Sequence, residues 1–129
     1  MEDAVDDELK DEIVTKSGEN STGQKWFYKG QVRKDNNKRQ GVGVWMLDDG
    51  DYYEGYWYDN KKDGFGRYIW GDSGNCYQGD WRNNNMHGKG TYYFASSGNR
   101  RVGTWKDDKK EGKAKFYYKS GKVEDETWE

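Results

Sequence analysis

A few residues in this 129-residue sequence have types that do chemistry. The only histidine, His87, would be the natural general base or metal ligand, and the only cysteine, Cys76, the natural nucleophile. Asp48, Asp49 and Asp51 resemble the start of a cation-binding loop, and the Gly-x-Gly pairs at Gly41/Gly43, Gly64/Gly66 and Gly88/Gly90 resemble phosphate cradles. Each candidate lacks its partners. No serine, cysteine and acid arrangement accompanies His87, which reads as a loop residue shaping the turn before Gly88. Cys76 has no second cysteine to pair with and reads as a small packed side chain in a strand. The acids lack the twelve-residue spacing that closes on Glu, so they read as solvated turn residues. No Gly-x-x-x-x-Gly-Lys-Ser/Thr is present, and the Gly-x-Gly pairs sit at strand starts with no helix following. Catalysis, metal ligation, a cofactor and a small-molecule substrate are therefore not expected.

Two further sets suggest binding. Tyr53, Trp57, Tyr77, Trp81 and Trp105 are candidates to contact a protein partner, because Trp and Tyr dominate interface energetics and a single sheet cannot bury both faces. The alternative is that these rings hold the chain together. Arg100, Arg101, Lys106, Lys109, Lys110 and Lys113, with Lys115 beyond them, form a basic stretch that suits anionic lipid. Asp107, Asp108 and Glu111 interrupt it and the chain carries a net charge of -2, so a solvated mixed surface is the competing reading. The same mixed signs argue against nucleic acid.

The elements that must position these side chains repeat with a period of about 24 residues. Trp57, Trp81, Trp105 and Trp128 advance by 24, 24 and 23 residues, and Gly30, Gly55, Gly79 and Gly103 by 25, 24 and 24. Gly112/Ala114 is a weakened fourth Gly-x-Gly. Gly50, Gly74, Gly98 and Gly121, each preceded by Asp or Ser, mark turns between units. With a period of two, Tyr53, Gly55 and Trp57 share one strand face, continued in the second half-units by Trp45/Leu47, Tyr68/Trp70, Tyr92/Phe94 and Phe116/Tyr118. The other face is variable and wetter. Six residues separate each Trp from the next Gly-x-Gly, as in Asp59 to Asp63 after Tyr58, and read as hairpin loops. The expected fold is all-β: an elongated, twisted antiparallel β-meander of tandem hairpin repeats, eight or nine strands at about 4.8 Å spacing.

Composition agrees. Aromatic residues are 17% of the chain and charged residues 36%, with 18 glycines, a recipe for ring faces against glycine backbone in one domain. No apolar run reaches the length of a membrane span and the start lacks a signal or transit pattern, so a soluble, intracellular protein is expected. Residues 1–20 hold two lysines against eight acids, a charge of -6, and the remainder is +4. This acidic head could lie on the body, bind a basic partner or solvate the terminus. Val5, Leu9 and Ile13 would align on one face of a short helix. Residues 1–24 are therefore expected to be disordered or helical. Residues 25–129 form the repeat domain, with units at about 26–50, 51–74, 75–98 and 99–121 and a half-unit at 122–129.

The elements YxGxW, a polar loop ending in HG, GxG, an aromatic strand and xG resemble the MORN repeat. The fullest copy runs from Tyr77-Gln-Gly-Asp-Trp81 through Met86-His-Gly-Lys-Gly90 to Ser97-Gly98. The unit from Tyr53 has Asp63 where the family favours His. The first unit has Val32 in place of Trp and a loop two residues longer. The fourth has Arg101 for Tyr and Ala114 for Gly, and the fifth keeps only Trp128. The resemblance implies a single-layered hairpin array with an aromatic groove similar to ones that hold helical peptides or other subunits. It further implies a scaffold role: a cytoplasmic, cytoskeletal subunit of a large complex, such as a ciliary axoneme, with weak anionic-lipid contact as the alternative. No catalytic domain is expected to follow.

Overall fold

The computed structural model describes residues 9, 10 and 12–128. Alternation of ring and polar residues makes strands, and ten of them are described: β1 (Val14–Glu19), β2 (Lys25–Val32), β3 (Arg39–Leu47), β4 (Tyr52–Tyr58), β5 (Lys61–Ile69), β6 (Cys76–Arg82), β7 (Asn85–Tyr93), β8 (Arg100–Lys106), β9 (Lys109–Tyr117) and β10 (Val123–Trp128). They form one open antiparallel sheet in sequence order, so the fold is the expected all-β meander with one strand more than expected. Each strand pairs only with its chain neighbours, which makes the sheet a one-dimensional stack.

Two kinds of turn alternate. Within a unit, β4–β5, β6–β7 and β8–β9 are joined by Asp59-Asn60, Asn83-Asn84 and Asp107-Asp108, with φ of 51° and 66°, 49° and 71°, and 49° and 68°. Two successive left-handed residues define a type I′ hairpin, whose twist matches that of the strands, and Asn and Asp tolerate it best after Gly. Between units the chain turns at Gly50, Gly74, Gly98 and Gly121, as the sequence suggests. The expected six-residue hairpin loops are corrected here: the strands run through those residues and only two form the turn. The extra residues are absorbed in a bulge, where the register shifts between Gly55 and Trp57, Gly79 and Trp81, and Val102 and Thr104. Only the first unit has a true loop, closed by the Arg33 N–H to the Lys38 carbonyl at 2.9 Å.

Neighbouring units are clamped at both ends by turn side chains. The second turn residue, Asn60, Asn84 or Asp108, accepts from the backbone N–H of Arg39, Lys62 or Met86 in the preceding unit at 2.7, 2.9 and 2.7 Å. Its own N–H donates back to the same residue's carbonyl at 3.0 Å in each case. At the opposite end Asp51, Asn75 and Asn99 accept from the N–H of Gly71, Ala95 and Lys119 at 2.8, 2.9 and 3.0 Å. These bonds extend the ladder past the strand ends and fix the angle between units. Asn84→Gly keeps the left-handed turn but deletes the acceptor for Lys62 N–H. The expected loss is about 1 kcal/mol, read as a lower urea midpoint, and Asn84→Ala adds backbone strain to it.

The core is a ladder of rings standing on a row of glycines. Gly30, Gly43, Gly55, Gly66, Gly79, Gly90 and Gly103 lie directly opposite one another across β2 to β8. Tyr28, Tyr53 and Tyr77 lean across this row, and their hydroxyls donate to the carbonyls of Gln31, Tyr56 and Asp80, three residues onward, at 2.6, 2.9 and 3.1 Å. Tyr53 and Tyr77 are wedged edge-to-face between two indoles, Tyr53 meeting Trp57 and Trp81 at 5.1 and 5.5 Å and Tyr77 meeting Trp81 and Trp105 at 5.2 Å each, while Tyr28, among the described residues, meets Trp57 alone at 5.6 Å. The indole N–H groups of Trp57 and Trp81 donate to the carbonyls of Gly43 and Gly66 at 3.2 and 3.1 Å. These three hydroxyls and two indole N–H groups are thus paired as they are buried.

The fourth unit shows why two departures from the pattern come together. Arg101 replaces the tyrosine, lies over Phe94 and Phe116 at 5.3 and 4.9 Å, and pairs with Glu126 at 2.8 Å. With no phenol lying on the backbone, the neighbouring strand tolerates the Cβ of Ala114, which is itself buried.

The acidic head also differs from expectation over the part that is described. Residues 14–19 are not disordered or helical; they form β1, paired with β2 from Val14↔Gly30 to Glu19↔Lys25, and residues 20–24 make the turn between them. Leu9 bridges Arg33 and Lys10 N–H donates to the Val32 carbonyl at 3.0 Å, so no helix runs through Leu9 and Ile13. The strand forms because β2 presents a free edge, and burial of Trp26 against Gly18 fixes its register. Val5 lies outside the described residues.

Candidate interaction surface

The five rings expected to meet a partner are among the least exposed of the described residues. Tyr53 and Tyr77 are 0% exposed, Trp57 and Trp81 5%, and Trp105 3%. This corrects the premise that a single sheet leaves them open: each ring is covered by rings of the flanking units and by the glycine row below. They hold the repeat together.

What the same face does offer is a second row beside this spine. Trp45, Tyr68, Trp70, Tyr92, Phe94, Phe116 and Tyr118 follow one another with centroids 4.8 to 6.2 Å apart. Tyr68 is nearly buried and its hydroxyl donates to Asp51 Oδ2 at 2.6 Å; the other six are half-buried. A cavity of about 230 Å³ opens in this row between Tyr92, Phe94, Arg101, Trp105, Asp108 and Lys110.

Between the two rows stand cations. Lys62 Nζ lies 5.3 to 6.0 Å from the ring centroids of Trp45, Tyr53, Tyr68 and Trp81. The Arg39 guanidinium lies 4.7, 5.4 and 5.8 Å from Trp57, Trp26 and Tyr28. Both are held by the attraction of a cation for ring faces. Burial pushes the Lys62 ammonium down to about 8; Asp108 and Asp51 oppose this and Arg39 adds to it. Burial likewise lowers the Arg39 pKa, although an arginine stays charged.

The sign of the Lys62 effect is testable. Its folded pKa lies below its unfolded value, so the unfolded chain holds the extra proton between about pH 8 and 10.5 and stability rises through that window. Below pH 8 the desolvation cost is present in full. Lys62→Met is therefore expected to stabilise the protein at pH 7 by about 1–2 kcal/mol, ring attraction offsetting part of the cost, with the gap to wild type narrowing from pH 8 to 9.5. Urea midpoints of both proteins across that range measure it.

The basic stretch does not form one surface. Arg101 points to the ring face and is paired with Glu126, while Arg100 is on the opposite face, 4.2 Å over Tyr117. Lys106 and Lys109 flank the Asp107-Asp108 turn and Lys110 lines the ring-face cavity. Lys113 lies beside Lys115, which pairs with Asp125 at 2.7 Å. The remaining chemical candidates make contacts within and between units. His87 lies in β7, not a loop; its Nδ1 is 3.8 Å from Asp107 Oδ1, and the equivalent Asp63 accepts from Asn83 N–H at 3.4 Å, the same contact between units. Cys76 is buried in β6, as its strand position suggests. Asp48 and Asp51 accept from backbone N–H groups of Lys25 and Gly71, and Asp49 from Asp51, which makes them turn residues.

The opposite face is less wet than the alternation suggests. Phe27, Met46, Tyr52, Ile69, Cys76 and Tyr93 stand directly opposite one another across β2 to β7, and Phe27, Met46 and Tyr93 are exposed. Sequence reading missed this row because its two recurring positions, Phe27/Tyr52/Cys76 and Met46/Ile69/Tyr93, hold a different residue type in each unit and so leave no repeated signature.

An open meander of 24-residue hairpins with one ring-lined face defines a tandem β-repeat protein. The MORN repeat matches at residues 28–52, 53–74, 77–98 and 102–123, and the chain belongs to that family. No individual curated protein matches it. MORN repeats are interaction modules, toward protein or membrane, and the repeat family is non-enzymatic.

Proposed function

We propose that the chain is a non-enzymatic protein-interaction scaffold, a structural subunit of a cytoskeletal assembly such as a ciliary axoneme, and that a partner segment lies along its second ring row. The observation that carries this reading is the half-buried line from Trp45 to Tyr118, an apolar strip continuous across the units beside a spine that is already satisfied. The outer edges of β1 and β10, unpaired among the described residues, suit attachment within a larger complex. Division of the cations between the two faces favours protein over lipid as the ligand.

The test is extraction of the tagged protein from its own cells, first with mild detergent and then with high salt. Retention through detergent, followed by release with defined proteins in salt, is expected. Trp70→Ser with Tyr92→Ser should abolish that co-release while the fold survives. Release by detergent alone would replace the scaffold with a membrane tether.

A further inference from the structure

Arg39, Lys62, Met86 and Lys110 occupy one place in the repeat, directly opposite Val32, Trp57, Trp81 and Trp105. The first three have their backbones clamped by the next hairpin, so the side chains emerge at fixed points. Met86 packs against the same core without a charge. Packing at this place therefore requires a long flexible side chain and nothing more, and the charges of Arg39 and Lys62 are surplus to the fold. They are also costly, because each cation is partly stripped of water. Among the described residues neither has a carboxylate within ion-pair distance. Arg39 donates from one terminal nitrogen to the Asn60 carbonyl at 3.1 Å, and its Nε is buried without a partner. The nearby Asp51 is committed to Tyr68 and Gly71.

Resting on the scaffold reading above, we infer that this row selects an acidic amphipathic helix laid across the strands of the ring face. Arg39 on β3 and Lys62 on β5 are two strands apart, about 10 Å. An α-helix advances about 10 Å in seven residues, so one helix face can present a carboxylate to each. The next place along is Met86, which asks for an apolar residue one further step on. Apolar side chains along the same helix face meet Trp45, Trp70 and Tyr92. A carboxylate here gains charge-assisted hydrogen bonds from cations already desolvated and oriented by rings. Single-stranded nucleic acid would also use rings and cations, but its phosphates are spaced more closely than this row, and Met86 interrupts it.

The experiment uses the full chain and fluorescence anisotropy with two labelled helical peptides of about 20 residues, identical except for two Glu or two Gln seven residues apart. The Glu peptide is expected to bind at least about tenfold more tightly, with the preference collapsing in Lys62→Met. That variant keeps the fold because Met86 already fills the equivalent place, and cooperative urea unfolding checks it. Equal binding of the two peptides, or a preference that survives Lys62→Met, overturns the proposal. Tighter binding of an oligothymidylate, or displacement of the Glu peptide by a peptide of residues 1–13 of this chain, also overturns it, assigning the row to nucleic acid or to the chain itself. Equal binding of the two peptides, or a preference that survives Lys62→Met, leaves the scaffold reading untouched, since that reading stands or falls on the extraction experiment.

Discussion

Trp81→Ala lowers the stability of the sheet by about 3–5 kcal/mol, a large part of what a small domain has. Trp81 is wedged between Tyr53 and Tyr77 with ring planes at 87° and 88°, and it also covers Tyr68 at 5.9 Å. Removing the indole leaves a cavity, exposes two tyrosines from opposite sides and orphans the Gly66 carbonyl that its N–H satisfies. Because each unit contacts only its neighbours, the loss falls on the junction between the second and third units. Urea unfolding followed by circular dichroism should show a lower midpoint and a broader transition, as the two halves cease to melt together. Trp70→Ala removes a half-buried ring of the second row and is expected to cost about 1 kcal/mol. Equal losses for the two variants would contradict the division into a spine and an interaction row.

Gly66→Val is expected to destabilise by about 3 kcal/mol or more, for a different reason. A Cβ at Gly66 would stand 2.5 Å from Tyr53 Cε1 and inside the radius of the Tyr53 hydroxyl, with no flexible neighbour to yield. Tyr53 must leave the glycine row, which breaks its bond to the Tyr56 carbonyl and both of its indole contacts. The fourth unit supplies the control, since Arg101 and Ala114 already make the paired exchange. Gly66→Ala should therefore cost less in a Tyr53→Arg background than in wild type, with a coupling of about 1–3 kcal/mol from a double-mutant cycle of urea midpoints. Strict additivity would show that the tyrosine does not rest on that glycine.

Some of this molecule could be read directly because a repeat is its own alignment. The 24-residue period, the period-two alternation of Tyr53, Gly55 and Trp57, and the turns at Gly74 and Gly98 follow from local stereochemistry. They determined an antiparallel meander of hairpins with one ring-bearing face and a glycine beneath each ring. The clamp residues Asp51, Asn75 and Asn99, and Asn60, Asn84 and Asp108, recur at the same spacing and were equally legible. They went unread because turn-forming Asn and Asp are expected to face water, whereas here their side chains close the ladder between units.

Other features depend on what the strands do to one another, and only the tertiary structure decided them. Whether Trp81 is a contact or a core residue turns on rings from β4 and β6 covering it, which no pattern within one strand expresses. The bulges let strands run through what looked like loops, leaving Asp59-Asn60 alone as a turn. The β1 strand carries no repeat signature; the free edge of β2 ordered it. Arg39 and Lys62 are unremarkable lysine-and-arginine positions in the sequence. They become a candidate recognition row because the register places them across from Val32 and Trp57, where burial strips their water and ring faces hold their charge.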